Sequence, residues 1–476
     1  MSHTTSLFRR PPFLYLALAS LCASQALAAS TLSRGDQQCP ITVVAEEGQA
    51  VPGGGVLDGS AFSQPRTLNR HGVVAFFNGI DGDVRNQGIF TSGPSGLEVI
   101  VRGCGNGAGG GSTVTCGDPS PIGGTFTGLF GGSLGPRIND AGDVLFMADV
   151  VGGSSNRGLF LFRAATDTIE KVVSVGDASP LGDTIAGFAN GTINGRGDVA
   201  FLAWDTNAAG GAFETYVARW NGGNLEKVAG PGDTSPDGTI FLGFSTVVSG
   251  FVDGTDIPTA PTPYVDEDGT IVVYAGVSGG DPGMLSIDGD GQTWLVQTGD
   301  MTPVGGTFLF FLSNVVKRAG RVVFSAASPT GIYVGTPGSW QPAWSSGTLL
   351  DGLPVESFGG VSGFAPPIDD AGQITFLLDV TLPGGDVEER LARWNESDGL
   401  FTLVAQDDPA PNGGLFNSIR ILPTVNAVGD VVFSASVAQG FSIFSGHFMI
   451  RNCAEVLFSD GFEDGTTDAW ASSVGE

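Results

Sequence analysis

The sequence predicts an all-β protein that forms a single seven-bladed β-propeller. Three observations lead to this prediction: a short phrase that recurs seven times, a glycine-rich composition, and an N-terminal segment that resembles the end of a blade. Glycine accounts for 76 of the 476 residues, whereas charged residues make up only 15%. Many short strands joined by tight turns have this composition, while glycine inside a helix costs about 1 kcal/mol relative to alanine.

The recurring phrase reads Asn-x-x-Gly-x-Val-x-Phe, and its clearest copy spans Ile138 to Phe146. Asn or Asp in the first turn position and Gly in the fourth are typical of a type I turn, and the alternation that follows predicts a strand. Successive glycines of the phrase lie 51 to 72 residues apart, which suits one four-stranded blade with variable loops. These glycines are Gly72, Gly142, Gly197, Gly269, Gly320, Gly372 and Gly429.

A second signature, Gly-Asp-x-x-Pro, separates the units. Copies begin at Gly117, Gly176, Gly232 and Gly299. Proline cannot donate to a strand ladder, so this signature is predicted to connect one blade to the next.

The N-terminal stretch Ile41 to Gly48 resembles blade ends such as Leu403 to Gln406, and the last repeat runs out near Ile450. We therefore predict that the N-terminal strand completes the last blade and closes the ring, which would remove two exposed sheet edges. The predicted propeller spans residues 39–453.

Four cysteines remain outside the N-terminal leader: Cys39, Cys104, Cys116 and Cys453. An even number in an exported chain predicts disulfides, and four cysteines allow three pairings. Position favours Cys104 with Cys116, which flank a glycine-rich loop, and Cys39 with Cys453, which a closed ring would bring together. Zinc is disfavoured because the chain has no close cysteine pair and few histidines.

The two ends have separate roles. Residues 1–28 carry an arginine pair, an apolar stretch and Ala26-Leu27-Ala28, and they are predicted to be a secretory signal peptide. Residues 454–476 contain Asp460-Gly461-Phe462-Glu463-Asp464-Gly465 and then Trp470, which resembles a short terminal motif of exported gammaproteobacterial proteins. The tail is predicted to be a sorting motif or a loosely docked end. We expect secretion or display on the outer surface of a Gram-negative bacterium, with the periplasm as the alternative.

The net charge of −28 disfavours nucleic acid and anionic membranes as partners. No stretch after the leader is long and apolar enough to span a bilayer. We expect a monomer with an acidic, solvated surface and an unidentified extracellular or envelope ligand.

The repeated phrase from Asn69 to Phe433 resembles that of bacterial exported tandem-repeat proteins of the choice-of-anchor type. The resemblance covers roughly residues 40–450, and this sequence departs from it at Lys317, in place of Asn, and at Val273, in place of Phe. It implies the propeller-like fold and export, and it implies no activity.

No catalytic residues are assigned from the sequence. His71 and His447 would be neighbours in a closed ring, but we expect ordinary surface or turn histidines, since no nucleophile motif accompanies them. Acids that recur in every unit are expected to cap turns. They are Asp140, Asp143, Asp198, Asp266, Asp268, Asp369, Asp370 and Asp430.

No cofactor is expected, with calcium as an alternative at Asp288 and Asp290. Their oxygens alternate as in calcium loops, but the distal Glu is missing, so a tight hairpin is favoured. The sequence predicts a binding module for an extracellular glycan or protein. The alternative is a polysaccharide hydrolase or lyase that uses carboxylates on one propeller face. Function is expected where the phrase fails or is interrupted: at Lys317, the Pro258 insert and the Cys104 loop.

Overall fold

The computed structural model describes residues 40–59, 62, 66–105, 116–129, 135–189, 191–206, 213–244, 262–311, 315–358 and 366–452. These residues form 34 β-strands arranged in seven sheets. No helix among them could span a membrane. The predicted signal peptide, the predicted tail motif and both Cys39 and Cys453 lie outside the described residues.

The seven sheets are the blades of a seven-bladed β-propeller, which confirms the predicted fold class. The first strand, β1 (Ile41–Glu46), belongs to the last sheet. Blade 1 contains β2 (Val56–Leu57), β3 (Arg66–Leu68), β4 (Val74–Asp81), β5 (Gln87–Gly93) and β6 (Gly96–Gly103). Blade 2 contains β7 (Thr125–Leu129), β8 (Arg137–Ile138), β9 (Val144–Val151), β10 (Arg157–Arg163) and β11 (Thr168–Ser174). Blade 3 contains β12 (Ile185–Phe188), β13 (Thr192–Ile193), β14 (Val199–Thr206), β15 (Phe213–Asn221) and β16 (Asn224–Ala229).

Blades 4 and 5 follow the same plan, whereas blade 6 has a different strand order and blade 7 has four strands. Blade 4 contains β17 (Phe241–Gly243), β18 (Tyr264–Val265), β19 (Ile271–Val277), β20 (Gly283–Asp288) and β21 (Gly291–Gln297). Blade 5 contains β22 (Phe310–Phe311), β23 (Val316–Arg318), β24 (Arg321–Ser328), β25 (Thr330–Thr336) and β26 (Ser339–Ser345). Blade 6 contains β27 (Leu349–Leu350), β28 (Leu353–Phe358), β29 (Ile374–Thr381), β30 (Val387–Asn395) and β31 (Gly399–Ala405). Blade 7 contains β32 (Leu415–Val425), β33 (Val431–Gln439), β34 (Ser442–Ile450) and β1.

The first strand of a blade is interrupted. In blades 1 to 5 it consists of two short pieces that both pair with the same second strand, as β7 and β8 pair with β9. In blade 7 the strand is continuous, but its register shifts between Arg420 and Thr424. The second pieces of neighbouring blades contact one another, β8 lying against both β3 and β13. We call these first strands the axial strands, because they form the inner ring.

The strand β1 is the outer strand of blade 7. It pairs antiparallel with β34, with Ile41 opposite Ile450. The turn that follows β1 copies the connection between blades: the Gly48 amide donates to the Leu57 carbonyl at 3.0 Å, as the Gly176 amide does to the Ile185 carbonyl at 2.8 Å. That this pairing closes the ring, and that Cys39 bonds to Cys453, remain predictions.

Apolar side chains fill the space between neighbouring sheets. The cluster between blades 7 and 1 combines Phe76 and Phe90 with Val432 and Met449. The ring of Phe76 lies 5.4 Å from that of Phe90, and the equivalent pair in blade 2 is Phe146 and Phe160 at 5.8 Å. The Phe of the repeated phrase thus packs on an aromatic ring of the third strand, and each such layer adds to the burial that drives folding.

The Asn of the phrase links adjacent blades. Its Nδ2 donates to the backbone carbonyl of the equivalent residue in the next blade, at 3.2 Å from Asn69 to Asn139 and 3.0 Å from Asn139 to Asn194. Asn194 reaches Asp266 at 3.1 Å in the same way, and Asn426 reaches Asn69 at 2.9 Å. We call these four residues, each no more than 4% exposed, the asparagine belt. The belt spans four consecutive junctions, which lie between blades 7 and 1, 1 and 2, 2 and 3, and 3 and 4.

Charged groups link two of the other three junctions, and a backbone amide links the third. Lys317 Nζ lies 3.8 Å from Asp268 Oδ2, and Arg318 Nη1 donates to the Ile368 carbonyl at 3.4 Å. The Asp370 amide donates to the Ala427 carbonyl at 3.0 Å. The departure of Lys317 from the phrase therefore serves the same purpose as the Asn that it replaces, which is to connect one blade to its neighbour.

Replacing Asn139 by Ala should destabilise the protein by about 2 kcal/mol. The change removes the bond to Asn194 and leaves the Asp143 amide, now 2.8 Å from Asn139 Oδ1, without its buried acceptor. Chemical denaturation measures the free energy of unfolding. Asn224→Ala, at an exposed hairpin position, is the control and should change it by less than about 0.5 kcal/mol. Equal effects of the two variants would contradict a linking role for the belt.

Candidate functional site

The seven repeated turns lie together on one face of the ring. In blades 7, 1, 2, 3 and 4 the turn directly follows the inner end of an axial strand, and these five strands contact one another in that order. We call this surface the turn face. Its turns are 69–72, 139–142, 194–197, 266–269, 317–320, 369–372 and 426–429.

The turn glycines Gly197 and Gly372 each have two constraints. Gly197 has a φ of +83° and Gly372 has the same value, a conformation that other residues adopt at a cost. A Cβ on Gly197 would lie 2.6 Å from the Arg163 guanidinium, and one on Gly372 would lie 2.6 Å from that of Arg321. Both arginines belong to the preceding blade, so the glycines also allow a cation to cross each of these junctions.

The repeated acids are engaged in the structure. Asp140 accepts the Arg70 amide of blade 1 at 2.8 Å, and Asp143 accepts the Ala164 amide at 3.0 Å and the Arg163 guanidinium at 2.9 Å. Asp430 accepts the Asn452 amide at 2.8 Å. The other five accept a backbone amide or a side-chain cation in the same way: Asp198, Asp266, Asp268, Asp369 and Asp370.

Two of these acids occupy the position of the belt asparagine. Burial raises the pKa of Asp266 and of Asp369 above the usual range. Asp369 is 1% exposed, and its Oδ1 accepts the Gln373 amide at 2.7 Å. A carboxylate has no donor for the next blade, so its charge is costly at this position.

Asp369→Asn should stabilise the protein by about 1 kcal/mol at pH 7, because the new amide can donate toward the next blade as the belt residues do. Because the pKa of Asp369 is higher in the folded than in the unfolded protein, this carboxyl destabilises the fold once the pH rises above its unfolded pKa. The stability gained by Asp369→Asn should therefore shrink near pH 4. Denaturation at both pH values measures it, with Asp290→Asn as an exposed control. A destabilised Asp369→Asn at pH 7 would contradict this account.

The two histidines have different surroundings. His71 is exposed in its turn, as expected. His447 is fully buried, so the expectation of a surface or turn residue is wrong for it. Its Nδ1 lies 2.9 Å from Ser434 Oγ, and its ring packs edge-on against Phe62 at 4.8 Å and Phe76 at 5.1 Å. Ser434 is also fully buried, so a substrate cannot reach this pair without opening the interface between blades 7 and 1.

The calcium candidates lie in a tight hairpin between β20 and β21. Asp288 Oδ1 accepts the amides of Asp290 at 2.9 Å and Gly291 at 3.0 Å. The described residues contain no group of three or more His, Cys, Asp or Glu side chains placed to hold a metal ion. The Asp288 carboxylate therefore caps the hairpin turn.

We expect the thermal midpoint to be unchanged when EDTA is added, because the hairpin is held by its own backbone amides. Differential scanning calorimetry with and without chelator measures this. A fall of several degrees on chelation, reversed by excess calcium, would instead show a calcium site.

Two segments interrupt the repeats, the Cys104 loop and the Pro258 insert, and they lie largely outside the described residues. Cys104 and Cys116 form a disulfide with their Cα atoms 5.9 Å apart, while residues 106–115 between them lie outside the described residues. The Pro258 insert also lies outside them. Neither segment supplies a described site residue.

Sequence reasoning missed a position on the axial strands, two residues before the phrase Asn. Thr67 Oγ1 donates to the Pro136 carbonyl at 3.0 Å and accepts the Ile138 amide at 2.9 Å, which joins blade 1 to blade 2. Thr192 joins blade 3 to blade 4 in the same way, at 2.8 and 2.9 Å. Blades 2, 4, 5 and 6 instead have Arg137, Tyr264, Val315 and Pro367 at this position. Aligning the units by their phrases would have shown these four departures.

Comparison with protein families matches a family of unknown function, DUF7453, over residues 17–330 and 327–446. No curated protein matches the sequence. Among solved structures, a puromycin-hydrolysing peptidase of Mycobacterium tuberculosis is similar with 10% identity and a TM-score of 0.42, over 83% of this chain and 53% of the peptidase chain. This chain thus spans about half the length of that peptidase.

Two further structures are similar to this chain. A polysaccharide lyase of family PL25, an ulvan lyase, has 12% identity and a TM-score of 0.33, over 66% of this chain and 79% of the lyase. The β-propeller domain of the Trilobed protease from Pyrococcus furiosus has 11% identity and a TM-score of 0.29, over 72% of this chain and 98% of that domain. Likenesses at this level carry no argument about activity.

Proposed function

We propose that this chain, which belongs to the DUF7453 family of unknown function, is a binding module for an extracellular glycan or protein. One observation carries the proposal: the repeated acids of the turn face are held by backbone amides and by cations. Side chains that fasten the ring are poor candidates for proton transfer, because moving their charge would weaken the junctions between blades.

The turn face also suits binding. Seven turns lie side by side on linked axial strands, so that exposed groups such as Arg70 and Glu267 are fixed before a ligand arrives. Glu267 Oε2 accepts the Gly195 amide of the neighbouring blade at 2.8 Å, and Arg318 pairs with Asp370 at 3.3 Å. A surface whose polar groups are already ordered loses little entropy on association.

The proposed location is outside the cytoplasm, either secreted or on the outer surface of a Gram-negative bacterium. Residues 1–28 support export, and residues 454–476 support sorting or attachment at the envelope. The resemblance to choice-of-anchor repeat proteins supports the same location. An acidic net charge of −28 suits a soluble, monomeric protein in that environment.

Polysaccharide cleavage is the second candidate, with Asp369, whose pKa is raised by burial, as its general acid. Asp369 is 1% exposed, so this role requires the junction between blades 6 and 7 to open and admit the substrate. A carboxyl that keeps its proton to higher pH can act as a general acid. Because Asp369→Asn is expected to be stable, loss of turnover in that variant would assign the role to this side chain directly.

A panel of soluble polysaccharides tests the proposed function. Purified residues 29–476 are incubated with each polymer, and binding is read by affinity electrophoresis while products are read as new reducing ends and as absorbance at 232 nm. We expect retardation by at least one polymer without products. Products that accumulate with time, and that are absent with Asp369→Asn, would contradict the binding module and support the polysaccharide-cleaving enzyme.

A further inference from the structure

We infer that Arg137 is an anion-binding residue on the inner ring and takes the carboxylate of an acidic sugar in the glycan ligand. The inference rests on the proposed function and names the ligand class at one position. It comes from the axial strand of blade 2, where Arg137 takes the place of the bridging threonine of blades 1 and 3.

Arg137 stands where blades 1 and 3 place a threonine that bridges to the next blade. Thr67 and Thr192 each make two backbone hydrogen bonds across their junctions. Arg137 begins β8, which has β3 and β13 as its neighbours on the inner ring. At the junction from blade 2 to blade 3, the short bridging hydroxyl is thus replaced by a long cation.

The guanidinium of Arg137 has no partner in the part of the chain that the structure describes. Its Nε is buried without a hydrogen bond. Other enclosed arginines are satisfied: Arg163 pairs with Asp143 at 2.9 Å, and Arg390 pairs with Asp351 at 3.1 Å. An unpaired buried charge is costly, and proteins that keep one commonly use it to bind a ligand of opposite charge.

The side chain remains charged and reachable. Burial lowers the pKa of Arg137 to about 10, so the guanidinium is protonated at neutral pH. The residue as a whole is half-buried, so part of it faces solvent while Nε does not. A small anionic group can therefore approach it from the solvent side.

The chemistry points to a carboxylate. A guanidinium offers parallel N–H donors that match the two oxygens of a carboxylate. The protein's net charge of −28 repels polymers with a high density of negative charge, so a single carboxylate on an otherwise neutral glycan suits the site better than nucleic acid does. Uronic acids carry such a carboxylate.

The test compares residues 29–476 with an Arg137→Thr variant, which restores the residue found in blades 1 and 3. Isothermal titration with methyl glucuronoside should show binding to the unaltered protein, weak binding of acetate, and none of methyl glucoside. Arg137→Thr should reduce glucuronoside affinity at least tenfold and raise the thermal midpoint, because the threonine can bridge to blade 3. If Arg137 instead stabilised the fold, Arg137→Thr would lower the thermal midpoint.

Two controls make the result decisive. Arg157→Thr removes an outer arginine that pairs with Asp149 at 2.8 Å, and it should keep glucuronoside binding unchanged. Arg137→Lys keeps the charge without the paired donors and should bind more weakly than the unaltered protein. Unchanged affinity in Arg137→Thr, or equal affinity for acetate and glucuronoside, would overturn the inference. Glycan binding that is unaffected by substitutions at Arg137 would overturn this inference but would still agree with the proposed binding function. Turnover of a polymer would instead contradict the proposed binding function.

Discussion

The hydrogen bond from one phrase asparagine to the carbonyl of the next blade is the interaction on which the ring depends. A blade buries apolar side chains against both neighbours, but such packing has no direction and tolerates sliding. The asparagine belt adds a fixed distance, 2.9 to 3.2 Å, at four junctions. Because these side chains are buried, breaking one leaves polar groups without water, which fixes the register of adjacent blades.

The three junctions without a belt asparagine show the same requirement met by other chemistry. Lys317 and Arg318 reach across to blades 4 and 6, and a backbone amide at Asp370 reaches blade 7. The ring can thus exchange a neutral hydrogen bond for an ion pair and keep its geometry. Departures from the phrase at these junctions are structural. Arg137 differs from them, because it replaces a bridging threonine and gains no partner among the described residues.

Much of the fold could be predicted from the sequence, since turn chemistry and strand alternation are local. The seven copies of the phrase gave the number of blades, and the blade-like end at Ile41 led to the prediction that this strand belongs to the last blade, where β1 pairs with β34. The double role of Asn139, which caps its own turn and bonds to the next blade, could not be predicted. An asparagine at this position of a turn can cap the turn without contacting another blade. The burial of His447 could not be predicted either, because the rings that cover it, Phe62 and Phe76, lie far away in the chain.

Hydrogen exchange tests the central claim most directly, because it reports local opening separately in each blade. Amide exchange would be followed by mass spectrometry in the unaltered protein and in Asn139→Ala. If the asparagine links blades, protection should fall both in the turn at 139–142 and in the turn of the next blade at 194–197. Loss of protection confined to the turn at 139–142 would show that the asparagine only caps its own turn, and would contradict the account.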